Sequence, residues 1–205
     1  MLELQHLFLG WLTSFIGTLP VGIISLIVVE VSSMRGIRQG LGAAAGVSLV
    51  ESVQTWLAVS LIAVLLHLPW LEKAIYLLSV PIFGFLAYQH LSSKGKVEAK
   101  DRIGHVRSGF RKGMMISSLN IVIFPYFFFI GGELIRQGRL IQEQYYILLF
   151  AVGAGLGTFV AMAGYALLGV SLKAYLQKYN RWVNRFIGLL FLGIALLQLK
   201  KMIWP

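Results

Sequence analysis

Residues 41–66 read LGAAAGVSLVESVQTWLAVSLIAVLL, 26 residues with one ionisable side chain, Glu51, near the middle. About 20 mostly apolar residues in a helix cross the hydrocarbon core of a bilayer, so this stretch predicts a spanning helix. An acid at mid-membrane costs about 2.5–3.5 kcal/mol on insertion scales and needs a reason to be there. Ser48 and Thr55 stand at i−3 and i+4 and share its helical face, and Gln54 borders that face. Such a carboxyl group could bind a cationic amino group, carry a proton, or do both in turn. The bland alternative is a protonated Glu that joins two helices by hydrogen bonds. Because intramembrane acids mark function as a rule, the first reading is preferred.

Working outward, five further apolar runs appear. With the first they give six predicted spans: Leu7–Val31, Leu41–Leu66, Ala74–Leu91, Gly113–Gly132, Tyr145–Val170 and Phe186–Leu199. The last is only 14 residues long, but Trp182 and Trp204 stand where interfacial aromatics would, and Lys200 and Lys201 could snorkel. The first run has neither a basic leader nor a small-residue cleavage site, so it reads as a retained helix and not a cleavable signal. Composition agrees. Of 205 residues 58% are hydrophobic and 13% charged, and the mean hydropathy is +0.78. A soluble domain carries about 25% charged residues. No cysteine is present, which excludes thiol chemistry and disulfides.

The net charge of +10 sits between the spans. Loops 32–40, 92–112 and 171–185 share thirteen Lys and Arg, against five on the other side. The positive-inside rule places these loops in the cytoplasm and both termini outside, in a cell (inner or plasma) membrane. Loop 92–112 lacks the interleaved aromatics of a nucleic-acid patch and reads as solvated.

That loop divides the single domain 1–205 into two sets of three spans, about 1–91 and 113–205. Each set opens with a span containing a proline, Pro20 or Pro125, and closes with its shortest span. Three is odd, so the halves would face opposite ways across the bilayer. The expected fold is therefore an all-α integral membrane protein of six transmembrane helices, arranged as two inverted three-helix repeats, a pattern of secondary transporters. The tetrapeptide Ile-Arg-Gln-Gly occurs at 37–40 and again at 135–138. Its offset differs from that of the prolines, and it is read as chance.

Pro20 frees the carbonyl of Ile16, with Gly17, Thr18 and Gly22 around it. Pro125 does the same to Ile121, after Ser117, Ser118 and Asn120. Unwound backbone at membrane depth is tolerated where it is buried in protein or lines a wet cavity, and there it can meet an ammonium or a carboxylate. The candidate substrate or proton site is thus Glu51, Ser48, Thr55, Pro20, Gly22, Thr18, Asn120 and Pro125. Gly42–Gly46 and Gly153–Gly157 are small-residue faces, read first as packing. There is no G-x-S-x-G, H-E-x-x-H or Walker A pattern, and His6, His67, His90 and His105 have no ligand spacing. Neither an enzyme, a cofactor nor a metal site is expected, and pumping would use an ion gradient.

Leu19-Pro20-Val21-Gly22, followed by Arg35-Gly36-Ile37-Arg38-Gln39-Gly40-Leu41-Gly42-Ala43-Ala44-Ala45-Gly46, resembles the LysE-type exporters of amino acids and related metabolites. That family has Pro-Gly-Pro in its first helix and Asn-Pro-Lys at its fourth. Here Pro20-Val21-Gly22 keeps the first proline, and Asn120 is followed by Ile121 and Val122, with the proline at Pro125. The chain is similar to a divergent branch. The resemblance implies a six-helix, two-repeat fold, export driven by a proton gradient or the membrane potential, and roles for Pro20, Gly22 and Asn120. Expected partners are an amino-acid-like small molecule and the lipid bilayer, with no nucleic acid; a homo-oligomer is left open. The alternatives are a non-transporting scaffold, with Gly42, Gly46, Gly153 and Gly157 as its interaction surface, and a divalent-cation exporter of the same superfamily.

Overall fold

The structure, a computed structural model, describes residues 1–20, 22–65, 106, 108–120 and 122–168, with scattered positions in 77–92 and 185–200. Six helices are continuous among them: α1 (Leu2–Thr18), α2 (Ile23–Arg35), α3 (Ile37–Leu65), α4 (Gly109–Ser118), α5 (Ile123–Arg136) and α6 (Gln144–Leu167). Among the described residues there is no strand. Two helices are long and apolar enough to cross a bilayer by themselves, α3 over Ile37–Ala63 and α6 over Gln144–Leu167. The pairs α1–α2 and α4–α5 pass the same test jointly, which brings the number of spans to as many as four. The predicted third and sixth spans and the loop 171–185 fall largely or wholly outside the described residues. Where positions of those two spans are described, Phe83 and Ala195 are buried in one cluster with Phe129 of α5 and Phe191.

The first predicted span is a broken helix. α1 and α2 are bent by 81° across a short break. Pro20 brings no N–H to the ladder, and Gly22 is extended (φ −115°, ψ −176°). Ser25 repairs the new helix start. Its hydroxyl accepts from the Gly22 N–H and lies 2.9 Å from the Gly22 carbonyl. Behind the break, the Leu19 carbonyl accepts a hydrogen bond from the Tyr165 hydroxyl of α6. The chain thus loses a helical bond and regains its polar partners from elsewhere in the fold.

The second break corrects the expectation for Pro125. α4 and α5 are bent by 70°, but the bend precedes the proline. α4 closes in a tight turn, with the N–H groups of Leu119 and Asn120 bonded to Ile116 and Ser117 at 3.2 and 2.9 Å. Pro125 then occupies the third residue of α5, inside the first turn, where a backbone N–H has no intrahelical acceptor anyway. It starts a helix where Pro20 interrupts one. The two Ile-Arg-Gln-Gly segments also differ in role: Ile37–Gly40 opens α3, whereas Ile135–Gly138 closes α5 on Gly138 (φ +68°). The predicted loop 32–40 reduces to Gly36 (φ +84°), a conformation that favours glycine, and the two helices run up to it. The end of loop 92–112 is helical too, and Lys112, expected to be solvated, is buried in α4.

Glycines determine which helices touch. A Cβ at Gly10 would sit 1.9 Å from the Phe150 carbonyl oxygen, at Gly153 2.0 Å from that of Leu7, and at Gly157 2.2 Å from that of Trp11. These three glycines press α1 against α6. In the same way, Cβ atoms at Gly46, Gly109 and Gly113 would lie 2.0 to 2.1 Å from carbonyl oxygens of Phe110, Gln39 and Ala43, which locks α3 to α4. Backbone-to-backbone approach of this kind is what small residues provide where lipid removes the hydrophobic drive between helices. Gly42, Gly46, Gly153 and Gly157 are therefore spent inside the chain, which removes the surface on which a scaffold was expected to act. Apolar side chains fill the remaining space around α3 and α6, with Phe127 edge-on to Phe150.

Gly46→Ala and Gly153→Ala are each expected to destabilise the detergent-solubilised protein by about 1–3 kcal/mol through overpacking. Gly164→Ala, where a Cβ meets nothing within 4 Å, is expected to be neutral or slightly stabilising. Thermal unfolding of the three variants checks this contrast.

Candidate functional site

Glu51 lies on α3, 6% exposed, and turns its carboxyl group toward α1 and α6. The Ser14 hydroxyl of α1 donates to Glu51 Oε1 at 2.7 Å and lies 2.6 Å from Thr158 Oγ1 of α6. Because Ser14 gives its one proton to the carboxyl group, Thr158 is the donor to Ser14 and reaches Glu51 through it. Three helices thus meet on one triad of side chains, and all three residues are buried. Among the described residues no cationic side chain pairs with Glu51.

A fourth helix reaches the same neighbourhood. Tyr126 follows Pro125 in α5, and its hydroxyl donates to the Thr13 carbonyl of α1 at 2.9 Å. The ring also fills the space over Gly17, where a Cβ would meet the Tyr126 oxygen at 2.6 Å. The proline segment of the second broken helix is in this way braced against the first broken helix, one residue beside the Ser14–Glu51 contact.

The other expected site residues are placed differently. Ser48 shares the face of Glu51 but donates to the Gly155 carbonyl of α6 at 2.6 Å, so its hydroxyl serves helix packing. Thr55, also on that face, has a hydroxyl with no partner among the described residues. Gln54 donates through Nε2 to the Ser117 carbonyl at 3.3 Å, at the last residue but one of α4. Thr18 ends α1; Pro20 and Gly22 form the first break, and a Cβ at Gly22 would meet nothing within 4 Å. Asn120 lies in the second break, half-buried. Among the described residues no hydrogen bond joins Glu51 to Ser48, Thr55, Thr18 or the residues of either break.

Ser14 and Thr158 escaped the reading of the sequence. Each is one hydroxyl in an apolar helix, and such residues commonly bond their own backbone. The signal that could have exposed them is the demand of Glu51 itself, since a buried carboxyl group needs donors from neighbouring helices. Near the interface, Glu133 pairs with Arg136 and accepts from Gln137. Arg35 donates to the Val106 carbonyl.

The model of the LysE type translocator family matches residues 15–201. The chain belongs to this family. It is accordingly a membrane protein of the translocator class and not an enzyme, and its apolar helices make it a multi-pass one. The match begins one residue beyond Ser14 and takes in Glu51, Tyr126 and Thr158. No curated protein and no solved structure matches the chain.

Removing the donors should unsettle the carboxyl group. Ser14→Ala and Thr158→Val are each expected to lower stability by about 1–3 kcal/mol, the cost of a buried polar group losing a partner. In the Glu51→Gln background the same changes should cost less, because the two sites are coupled. A double-mutant cycle on unfolding midpoints measures that difference.

Proposed function

We propose that this LysE-type translocator exports amino acids or related small zwitterionic or cationic metabolites across the cell membrane, driven by the proton gradient or the membrane potential. Glu51 holds the passenger's cationic group or the coupling proton. Pro20 and Gly22 at the first break, with Thr18 beside them, and Asn120 at the second supply the non-helical backbone that meets the rest, with Pro125 in the first turn of the helix that follows. The observation that carries this reading is the buried Glu51 carboxyl group. Among the described residues it is held by neutral hydroxyls only, on the helix that both broken helices flank. A carboxyl group placed merely to stitch helices would gain more from a charged partner, whereas neutral donors leave it free to change its protonation or its counter-ion.

Six spans in two inverted repeats are part of the same proposal. The breaks support it: α2 resumes at Ile23 and α5 at Ile123, each after a break of four residues. So does the exchange of partners, with α1 packed on α6 and α4 on α3, each half-helix lying along the long helix of the other half. The proposed separation of the first and third loops from the N-terminus also has support, and the positive-inside rule adds that the termini lie outside. Arg35 bonds Val106, and Gln39 accepts from the Gly109 N–H, which brings the first and third loops to one end. At the other end Tyr145 donates to Glu3, and His6 accepts from the Ile141 N–H.

The test is metabolite profiling of the medium from cells that express the wild-type chain, Glu51→Gln or neither, followed by efflux of the enriched compounds from proteoliposomes. The wild type is expected to enrich at least one small zwitterion or cation, and Glu51→Gln to abolish its gradient-driven efflux while the protein still folds. Unchanged efflux in that variant would remove Glu51 from the coupling step.

A further inference from the structure

One turn along α3 from Glu51, two buried polar atoms have no hydrogen-bond partner among the described residues: Gln54 Oε1 and Thr55 Oγ1. Their side chains are 8% and 0% exposed. Unpaired acceptors at such depth are costly, and an apolar residue of the same shape would avoid the cost. The orientation of the Gln54 amide is settled by its nitrogen, which donates to the Ser117 carbonyl and so turns the oxygen elsewhere. Thr55 neither bonds another helix, as Ser48 does, nor takes the local bond that three other helical hydroxyls take. Ser33, Ser52 and Ser118 each donate to the carbonyl four residues back, at 2.8, 3.0 and 2.8 Å. Thr55 has the same option and does not take it.

We propose that Gln54 and Thr55 are a specificity pair, which presents a carbonyl and a hydroxyl oxygen to a passenger whose head carries N–H donors, a primary ammonium, beside the Glu51 carboxyl group. This rests on the reading of Glu51 as the cation site. Positions i, i+3 and i+4 lie on one helical face, so the three oxygen-bearing groups flank one another. A primary ammonium has three donors and no acceptor, which matches a set of oxygens. The carboxyl group answers the charge, but charge alone does not separate a primary ammonium from a quaternary one. The neutral oxygens do, because a quaternary head would leave both unpaired in a buried site. The same pair explains why the resting site tolerates two orphaned atoms: they are satisfied when the passenger is bound.

The probes are methylammonium and tetramethylammonium chloride, tested for their effect on the thermal unfolding midpoint of the full chain in detergent. A bound ligand raises the midpoint by mass action. Methylammonium is expected to raise the wild-type midpoint and tetramethylammonium at equal concentration to leave it unmoved. Thr55→Val and Gln54→Met should each weaken the methylammonium effect about tenfold, the worth of one hydrogen bond to a charged group. Thr55→Val should meanwhile unfold no earlier than the wild type without ligand, since its hydroxyl contributes nothing to the resting fold; a structural role would not give that combination. Equal shifts with both cations, or none with methylammonium, would overturn the proposal. If Glu51→Gln loses the shift while Thr55→Val and Gln54→Met keep it, the pair is wrong and the Glu51 reading stands. The reverse pattern keeps the pair and removes Glu51.

Discussion

A carboxyl group buried among apolar helices must draw its hydrogen bonds from the protein around it, and in this chain that requirement organises the centre of the fold. Glu51 takes a donor from α1, Ser14, and Ser14 is in turn held by Thr158 of α6. For this chain of hydroxyls to reach it, α1 and α6 must lie close to each other and to α3. The glycine contacts at Gly10, Gly153 and Gly157 bring the first two into backbone range. Gly155 completes the approach to α3, where a Cβ would strike the Ser52 hydroxyl at 1.8 Å. Polar and small residues thus act together: the glycines permit the distance and the hydroxyls make use of it.

The broken helices answer a similar need at a different place. Breaking a helix within a membrane exposes backbone groups that lipid cannot satisfy. At the first break the repair comes from Ser25 within the new helix and from Tyr165 across the bundle. At the second, the turn closes on itself and Pro125 is spared the need for a partner. The two breaks reach a similar bend by different chemistry.

How much of this was legible in the sequence depends on whether the signal was local. Long apolar runs, Glu51 among them and the glycine faces are patterns within one segment, and α3 and α6 begin and end within a few residues of their predicted limits, Leu41–Leu66 and Tyr145–Val170. The position of the second break was misread because a proline was taken as an interruption wherever it stood, although at the start of a helix it fits. The partners of Glu51 were invisible for another reason. Ser14 and Thr158 are more than 140 residues apart in the chain, and nothing near either one announces the other. Ser48 looked like a partner through helical periodicity alone, but the Gly155 carbonyl on the facing helix is nearer to hand.

Tyr126 has a mechanical role that follows from its place. It grows from the helix that restarts after the second break, and it rests on Thr13 and Gly17 in the helix that runs up to the first. An aromatic ring is a stiff strut with few internal rotations, so tilting of one discontinuous helix is passed to the other and not absorbed between them. Ser14 sits beside the point where that strut lands. Any movement of one of these two helices would therefore reach the acid's own donor at once, without a relay through the loops.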